Sequence, residues 1–267
     1  MTGMGRGNED QFDRELEAHG VRVKDANEFK VRDDVFDEVT LLALYKLVHK
    51  KRLSAIGGAI STGKEANVYL AEAGERDVAI KIYRIQTANF NTMTVYLQGD
   101  RRFASVRKTR KEVIFTWTRK EFANLKRAHD AGLAVPEPIA FDRNILILEF
   151  LGKDERPYPR LKEVALEDPA ATYAWVIEFI RRLYREAKLV HADLSEFNIL
   201  VGDQVYVIDM GQSVTPDHPQ AYRFLMRDIR NVNRYFGERC EVRSEFEVFA
   251  ETTGIPLEAV LAGERER

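Results

Sequence analysis

Four polar side chains crowd one short stretch, Leu189 to Gln212: His191, Asp193, Asn198 and Asp209. Between the last two lie the apolar runs Ile199–Val201 and Val205–Ile208, joined by Gly202-Asp203. That pattern reads as a tight β-hairpin. A hairpin this short brings Asn198 and Asp209 side by side, because both flank the same end of its ladder. An amide oxygen and a carboxylate meeting there form a hard-oxygen pair suited to Mg2+. Asp193 lies five residues before Asn198 on the same loop, where its carboxylate is placed to act as a base. His191 reads as a pin for the loop backbone rather than a base or a metal ligand.

The spacing H-x-D-L-x-x-x-N followed by D-x-G belongs to phosphotransfer sites of the protein-kinase type, so the rest of such a site is sought upstream. VAIK, Val78 to Lys81, ends a strand-like run. An unpaired buried ammonium is expensive, so Lys81 needs an acid. Glu121 is the first candidate, at the border of the buried face that Phe122 and Leu125 define, and Glu112 is the rival. Gly58 to Glu65, GAISTGKE, nearly spells the G-x-x-x-x-G-K-[ST] phosphate loop. Its eighth position is Glu65, which has no hydroxyl for Mg2+, and it leads into a strand where that loop must open a helix. Read instead as G-x-G-x-x-G-x-V with Ser61 and Ala66 for the outer glycines, Ser61, Gly63 and Lys64 offer backbone N–H groups to phosphates. A plain hairpin turn is the alternative. The backbone around Glu149 and Leu151 is where an adenine edge would bond, with Leu148 behind it.

These residues need a scaffold. After a polar start with a modest helix over Gln11–His19, the run from Asp34 is apolar at helical spacing, with Asp33 or Asp34 to cap it. Three strands follow at Ala55–Ser61, Asn67–Glu72 and Val78–Tyr83. Arg84–Lys108 breaks every pattern and reads as a long functional loop. A helix over Thr109–Ala131 ends at Gly132, and strands follow at Ile139–Phe141 and Ile145–Phe150. Gly152–Arg160 is a charged linker. Helices are expected at Pro169–Lys188, with Asp168 as cap, at Pro219–Phe236 and near Ser244–Glu251. The expectation is an α+β, bilobal kinase-like fold with the nucleotide cleft at the linker: an N-terminal helical extension (1–52), an N-lobe of antiparallel sheet plus helix (53–150) and a mostly helical C-lobe (151–267).

The 267 residues suffice for one two-lobed domain, and a net charge of −2 gives no global case for nucleic acid or membrane. The single Cys240 excludes an internal disulfide. No apolar run reaches membrane-span length and no signal-peptide core is present, so a cytoplasmic protein is expected. Arg101, Arg102, Arg107, Lys108, Arg110, Lys111, Arg119 and Lys120 form a basic stretch with Phe103 and Trp117 interleaved. It suits either a solvated helix face or contact with phosphate backbones. Between Gly211 and Pro219 no A-P-E follows, so the usual platform for a peptide substrate is missing.

With these residues assembled, the chain resembles the RIO family of atypical protein kinases. The signatures are STGKEANVY (Ser61–Tyr69), IKIYR (Ile80–Arg84), HADLSEFN (His191–Asn198) and IDMGQSV (Ile208–Val214). STGKEANVY, the combination of HADLSEFN with IDMGQS, and GDRRF (Gly99–Phe103) point to the type-one branch, and the short length resembles archaeal members. The resemblance runs over about residues 35–255 and shows no departure at a catalytic position. It implies ATP and Mg2+ binding, Ser/Thr autophosphorylation, and ATPase-driven action on the pre-ribosomal small subunit and its rRNA. It also implies a phosphoryl intermediate on Asp209. The phosphoacceptor protein is not legible; for self-phosphorylation Ser105 is the first candidate and Thr109 the next. Two other classes share parts of the pattern. Aminoglycoside-type phosphotransferases have a similar loop but not STGKEANVY, and a non-catalytic scaffold would not need Lys81, Asp193, Asn198 and Asp209 together.

Overall fold

The computed structural model describes residues 22–23, 38–50, 52–86, 88, 90–103 and 109–265. The helix expected over 11–19, the caps Asp33 and Asp34, and Ser105, Arg107 and Lys108 lie outside them. The chain divides into two compact units, the first from residues 1–93, 106–122 and 137–157 and the second from 94–105, 123–136 and 158–267. The α+β class expected from the sequence is the one observed.

The first unit is built on a six-stranded sheet. Its strands are β1 (Arg22–Val23), β2 (Ala55–Thr62), β3 (Ala66–Ala73), β4 (Arg76–Tyr83), β5 (Pro138–Asp142) and β6 (Ile145–Glu149), in the order β1-β2-β3-β4-β6-β5. All neighbours are antiparallel except the short edge pair β1 and β2. Helix α1 (Glu38–His49) lies on this sheet and buries Ala43, Leu44 and Leu47 with Ile80, Ile82 and Ile147. Side chains alternate across a strand, so Ile80 and Ile82 face α1 while Lys81 and Tyr83 point the other way. Asn144, fully buried in the β5–β6 turn, donates to Thr40 Oγ1 (2.8 Å) on α1 and to the Tyr83 carbonyl (2.9 Å). It thereby ties helix, turn and strand end together.

Two stretches depart from expectation. Residues 84–108 are not all irregular: α2 (Phe90–Gln98) and a 3-10 turn, Arg101–Phe103, lie within them. Met93, Tyr96 and Leu97 make a buried face of α2 that the intervening Asn, Thr and Gln conceal in the sequence. The linker also has structure. β7 (Gly152–Lys153) and β8 (Arg156–Pro157) pair through Asp154 and Glu155, both left-handed at φ 51° and 60°. Positive angles at both central residues are those of a type I′ turn, which non-glycine residues announce poorly.

Helix α3 (Arg110–Asp130) contributes its first part to the first unit and its last turns to the second. Thr109 Oγ1 accepts the Glu112 N–H at 3.3 Å, and Gly132 closes the far end at φ 68°. The second unit is mostly helical, with α4 (Pro169–Arg185), α5 (Ala221–Phe236), α6 (Glu245–Thr253) and α7 (Leu257–Arg265). Asp168 caps α4 by accepting the Ala171 N–H at 2.9 Å, with proline at the first helical position. The hairpin β9 (Ile199–Val201) and β10 (Val205–Val207) is held to the loop after α3 by Val207 N–H to the Ala134 carbonyl (2.9 Å). No helix among the described residues is long and apolar enough to cross a membrane.

Asn144→Ala removes the donor shared by Thr40 Oγ1 and the Tyr83 carbonyl. It should cost about 1–3 kcal/mol of unfolding free energy in a denaturant titration. An unchanged midpoint would show that this tie contributes nothing.

Candidate active site

In the first unit, Lys81 Nζ lies 2.8 Å from Glu121 Oε1, and both side chains are almost wholly buried. Tyr83, two residues along β4 on the same face, donates its phenol proton to Glu121 Oε2. The carboxylate is thus held by two side chains of one strand, and Lys81 is aimed as well as neutralised. Glu112 is exposed on the first turn of α3 and is not the partner. The loop of Ser61, Gly63 and Lys64 is the β2–β3 turn and enters a strand, as the rejection of a helix-opening phosphate loop requires. The Gly63 N–H is already engaged by the Ala66 carbonyl (3.0 Å) and Asn67 Oδ1 (3.3 Å), so it is not free for a phosphate in this conformation. At the other edge, the Glu149 N–H is committed to the Glu137 carbonyl (2.9 Å), and Leu151 is buried.

The second unit holds the remaining residues, and its hairpin brings two of them together. Ile208 donates its N–H to the Asn198 carbonyl (2.9 Å), which places Asp209 next to Asn198 at the end of the ladder. Asn198 Nδ2 donates to the Asp193 carbonyl (2.8 Å), leaving Oδ1 as the atom with which it can meet a cation. Asp209 is exposed and Asp193 half-buried. Burial raises the pKa of Asp193; Arg227 opposes that rise and Asp209 adds to it. Gln212 Nε2 donates to Asp193 Oδ2 at 3.0 Å and orients the carboxylate. A pair of hard oxygen donors fits Mg2+, which takes one or two protein oxygens and completes its shell with phosphate and water. No cluster of three or more His, Cys, Asp or Glu able to hold a metal exists among the described residues, so a zinc-type cage is not what this arrangement offers.

The loop that carries Asp193 is fastened from behind. Asp228, fully buried on α5, accepts the N–H groups of Ala192 (2.7 Å) and Leu194 (2.9 Å), one on each side of Asp193. Arg227 donates to the Ala192 carbonyl and to Tyr96 Oη (3.2 Å). His191 Nε2–H donates to the Ile208 carbonyl (3.1 Å), and Ser213 Oγ–H to the His191 carbonyl (3.1 Å). His191 is therefore a pin between loop and hairpin. The sequence reading assigned no role to Tyr83, Gln212, Arg227 or Asp228. For Asp228 a signal existed: a lone carboxylate within the apolar stripe of Leu225, Ile229 and Val232.

Two of these pins respond to pH in opposite senses. Burial lowers His191 from 6.5 to about 4, against its bond to Ile208 and the pull of Asp209. Its folded pKa lies below its unfolded one, so stability is lost as pH falls through that window. Burial raises Asp228 from 3.8 to about 7, against the Leu194 and Ala192 N–H groups and Arg227. The folded state then holds the proton more tightly, and stability is lost as pH rises between those values. Relative to wild type, His191→Gln should remove a loss of stability on acidification below pH 6.5, and Asp228→Asn a gain on acidification below about pH 7, each of up to about 1.4 kcal/mol per pH unit. Parallel pH–stability curves for the two variants would contradict this.

Comparison with known proteins converges on one family. The RIO domain family model matches residues 67–249. The chain is 50% identical over 226 residues to the RIO-type serine/threonine-protein kinase Rio1 of Haloferax volcanii, covering 84% of this chain and 78% of that protein. It is 42% identical to the human serine/threonine-protein kinase RIO1, covering 84% of this chain but 40% of that longer protein. Among solved structures it resembles the Rio2 kinase–ADP/Mg2+–phosphoaspartate complex from Chaetomium thermophilum. There the TM-score is 0.63 at 23% identity, covering 100% of this chain and 87% of that one. That likeness speaks to the fold, and the sequence matches go further: the chain belongs to the RIO family of serine/threonine-protein kinases, in its type-one branch.

Proposed function

We propose that this chain is an ATP- and Mg2+-dependent cytoplasmic RIO kinase that also hydrolyses ATP, phosphorylates itself and acts in maturation of the small ribosomal subunit. The observation that carries the catalytic part is the setting of Asp193 and Asp209. Both project from backbone fixed by buried side chains, one half-buried and one exposed, with Asn198 bonded to the first and adjacent to the second. Lys81, neutralised and aimed by Glu121, is assigned to the ATP phosphates. Asn198 Oδ1 and the Asp209 carboxylate are assigned to Mg2+, which supplies neutralisation of phosphate charge when bound. With the Glu149 N–H occupied, the adenine edge is assigned to the Leu151 N–H. Ser61, Gly63 and Lys64 cover the phosphates only after the Gly63 N–H is released.

Asp209 is an exposed carboxylate and no A-P-E follows it in the sequence; it is assigned here as a phosphoryl acceptor as well as a metal ligand. A carboxylate oxygen of Asp209 forms a bond to the γ-phosphorus, the bond to the β-phosphate oxygen breaks, and ADP leaves. Water then attacks the phosphorus of the acyl phosphate, its bond to the Asp209 oxygen breaks, the carboxylate is regenerated and inorganic phosphate leaves, while Asp193, oriented by Gln212, takes the proton of the water. A serine or threonine hydroxyl replaces water when the chain phosphorylates itself, with Ser105 as first target. The Rio2 kinase of similar fold is described in a phosphoaspartate complex, which agrees with this reading without establishing it here.

The partner assignment rests on exposed Arg101, Lys111 and Arg119. Two members of the expected basic stretch do not belong to a surface patch: Lys120 is fully buried, and Arg102 is committed to Asp100 (2.6 and 2.9 Å).

Incubation with radiolabelled ATP should trap a hydroxylamine-labile phosphate on Asp209 that is lost in Asp209→Ala. Asp193→Ala should keep nucleotide binding and lose about 10²–10⁴-fold in turnover. Label found solely as hydroxylamine-resistant phosphoserine or phosphothreonine would leave Asp209 a metal ligand only. Binding to small-subunit particles should weaken steeply with salt. Charge reversal at Arg107, Lys108, Arg110 and Lys111 should weaken it further while sparing particle-free ATPase activity. Unchanged particle binding would return this stretch to a solvated helix face.

A further inference from the structure

One buried amide remains without a role. Asn124, on α3, is fully buried, and its Nδ2 donates to two carbonyls, Met210 at 2.8 Å and Ser213 at 2.9 Å. Carbonyl oxygens can be met only by donors, so the partners themselves orient the group. Its Oδ1 is buried with no hydrogen-bond partner among the described residues, so the amide is used for its protons alone. The two carbonyls bracket the turn that begins just after Asp209, which Ser213 N–H to Met210 O (3.2 Å) closes. Asp209 itself stands at φ 69°. A non-glycine residue keeps such an angle only where its surroundings hold it. On one side His191 holds the Ile208 carbonyl, and on the other Asn124 holds that of Met210.

We propose that Asn124 is a positioning residue for Asp209: by fixing the Met210–Ser213 turn it sets the direction in which the Asp209 carboxylate meets the metal–phosphate group. This rests on the assignment of Asp209 as a metal ligand above, and adds the residue outside the motif that orients it. A space-filling role for Asn124 predicts otherwise, because an apolar side chain of similar volume would then serve as well.

The experiment compares the full wild-type chain with Asn124→Leu, which keeps the volume and removes both donors, and Asn124→Ser, which retains one hydroxyl donor. The probe is Mn2+ binding to the ADP-loaded protein followed by electron paramagnetic resonance, with amide hydrogen exchange of residues 210–214 measured without nucleotide or metal. Asn124→Leu should weaken Mn2+ binding about tenfold, the lower end of what outer partners of metal ligands contribute. It should also speed exchange across 210–214, with metal-free ADP binding unchanged and Asn124→Ser intermediate. If the Leu variant does not fold, the Ser variant is read by the same criteria. Folded variants with wild-type Mn2+ affinity and wild-type exchange would overturn the inference alone. A wild-type chain that binds no Mn2+ would overturn the functional reading and this inference with it.

Discussion

The carboxylate of Asp228 takes the N–H groups on either side of Asp193, and the loop that carries Asp193 depends on it. Ala192, which bears the first of them, stands at φ 68°. A left-handed alanine costs about 1–3 kcal/mol and persists only when several contacts enforce it. Asp228 takes its N–H and Arg227 its carbonyl, so neighbouring residues of one helix clamp the peptide groups on both sides of one Cα. After this twist Asp193 is half-buried while Leu194 enters the core. Without the buried acceptor, two N–H groups would face an apolar interior with nothing to receive them.

A comparable economy operates in the first unit. Lys81 is a buried cation, and breaking such a pair leaves an uncompensated charge that costs more than the pair contributes. Glu121 answers it with one oxygen and gives the other to Tyr83, so neither carboxylate oxygen is left bare. The strand supplies both donors because period two puts Lys81 and Tyr83 on one face. Helix α3 supplies Glu121 to this unit and, three positions on, Asn124 to the other. One helix therefore carries a buried polar anchor for each half of the proposed chemistry.

How far all this was legible depends on how local each feature is. His191, Asp193, Asn198 and Asp209 stand within one loop and hairpin, so apolar alternation and a Gly-Asp turn suffice to bring Asn198 and Asp209 together. Glu121 was legible because a buried lysine demands an acid and α3 offers few at its buried edge. Asn124 and Arg227 were not, since each is an ordinary residue on an amphipathic helix until the long-range carbonyl it reaches is known. Asp228 stood out from the stripe of Leu225 and Ile229, yet only the fold says that Ala192 and Leu194 are what it answers. Helix α2 stayed hidden because Asn91, Thr92 and Thr94 dilute Met93, Tyr96 and Leu97. The β7–β8 turn stayed hidden because Asp154 and Glu155 take left-handed angles without glycine.

In the proposed mechanism the two aspartates divide their work by environment rather than by type. Asp193 is half-buried, raised in pKa by that burial, and turned by Gln212, so it has both the proton affinity and the fixed direction a base needs. Asp209 is exposed at the end of a hairpin, the setting that the proposed metal-binding and phosphoryl-accepting roles call for. Exchanging the settings would disable both. A buried Asp209 would lose the hydrated shell that Mg2+ retains, and a fully solvated Asp193 would lose the raised proton affinity that suits it to deprotonate a hydroxyl or water. The pins behind them, Asp228 for one and His191 with Asn124 for the other, are what keep these settings distinct on a backbone that would otherwise relax out of its left-handed angles.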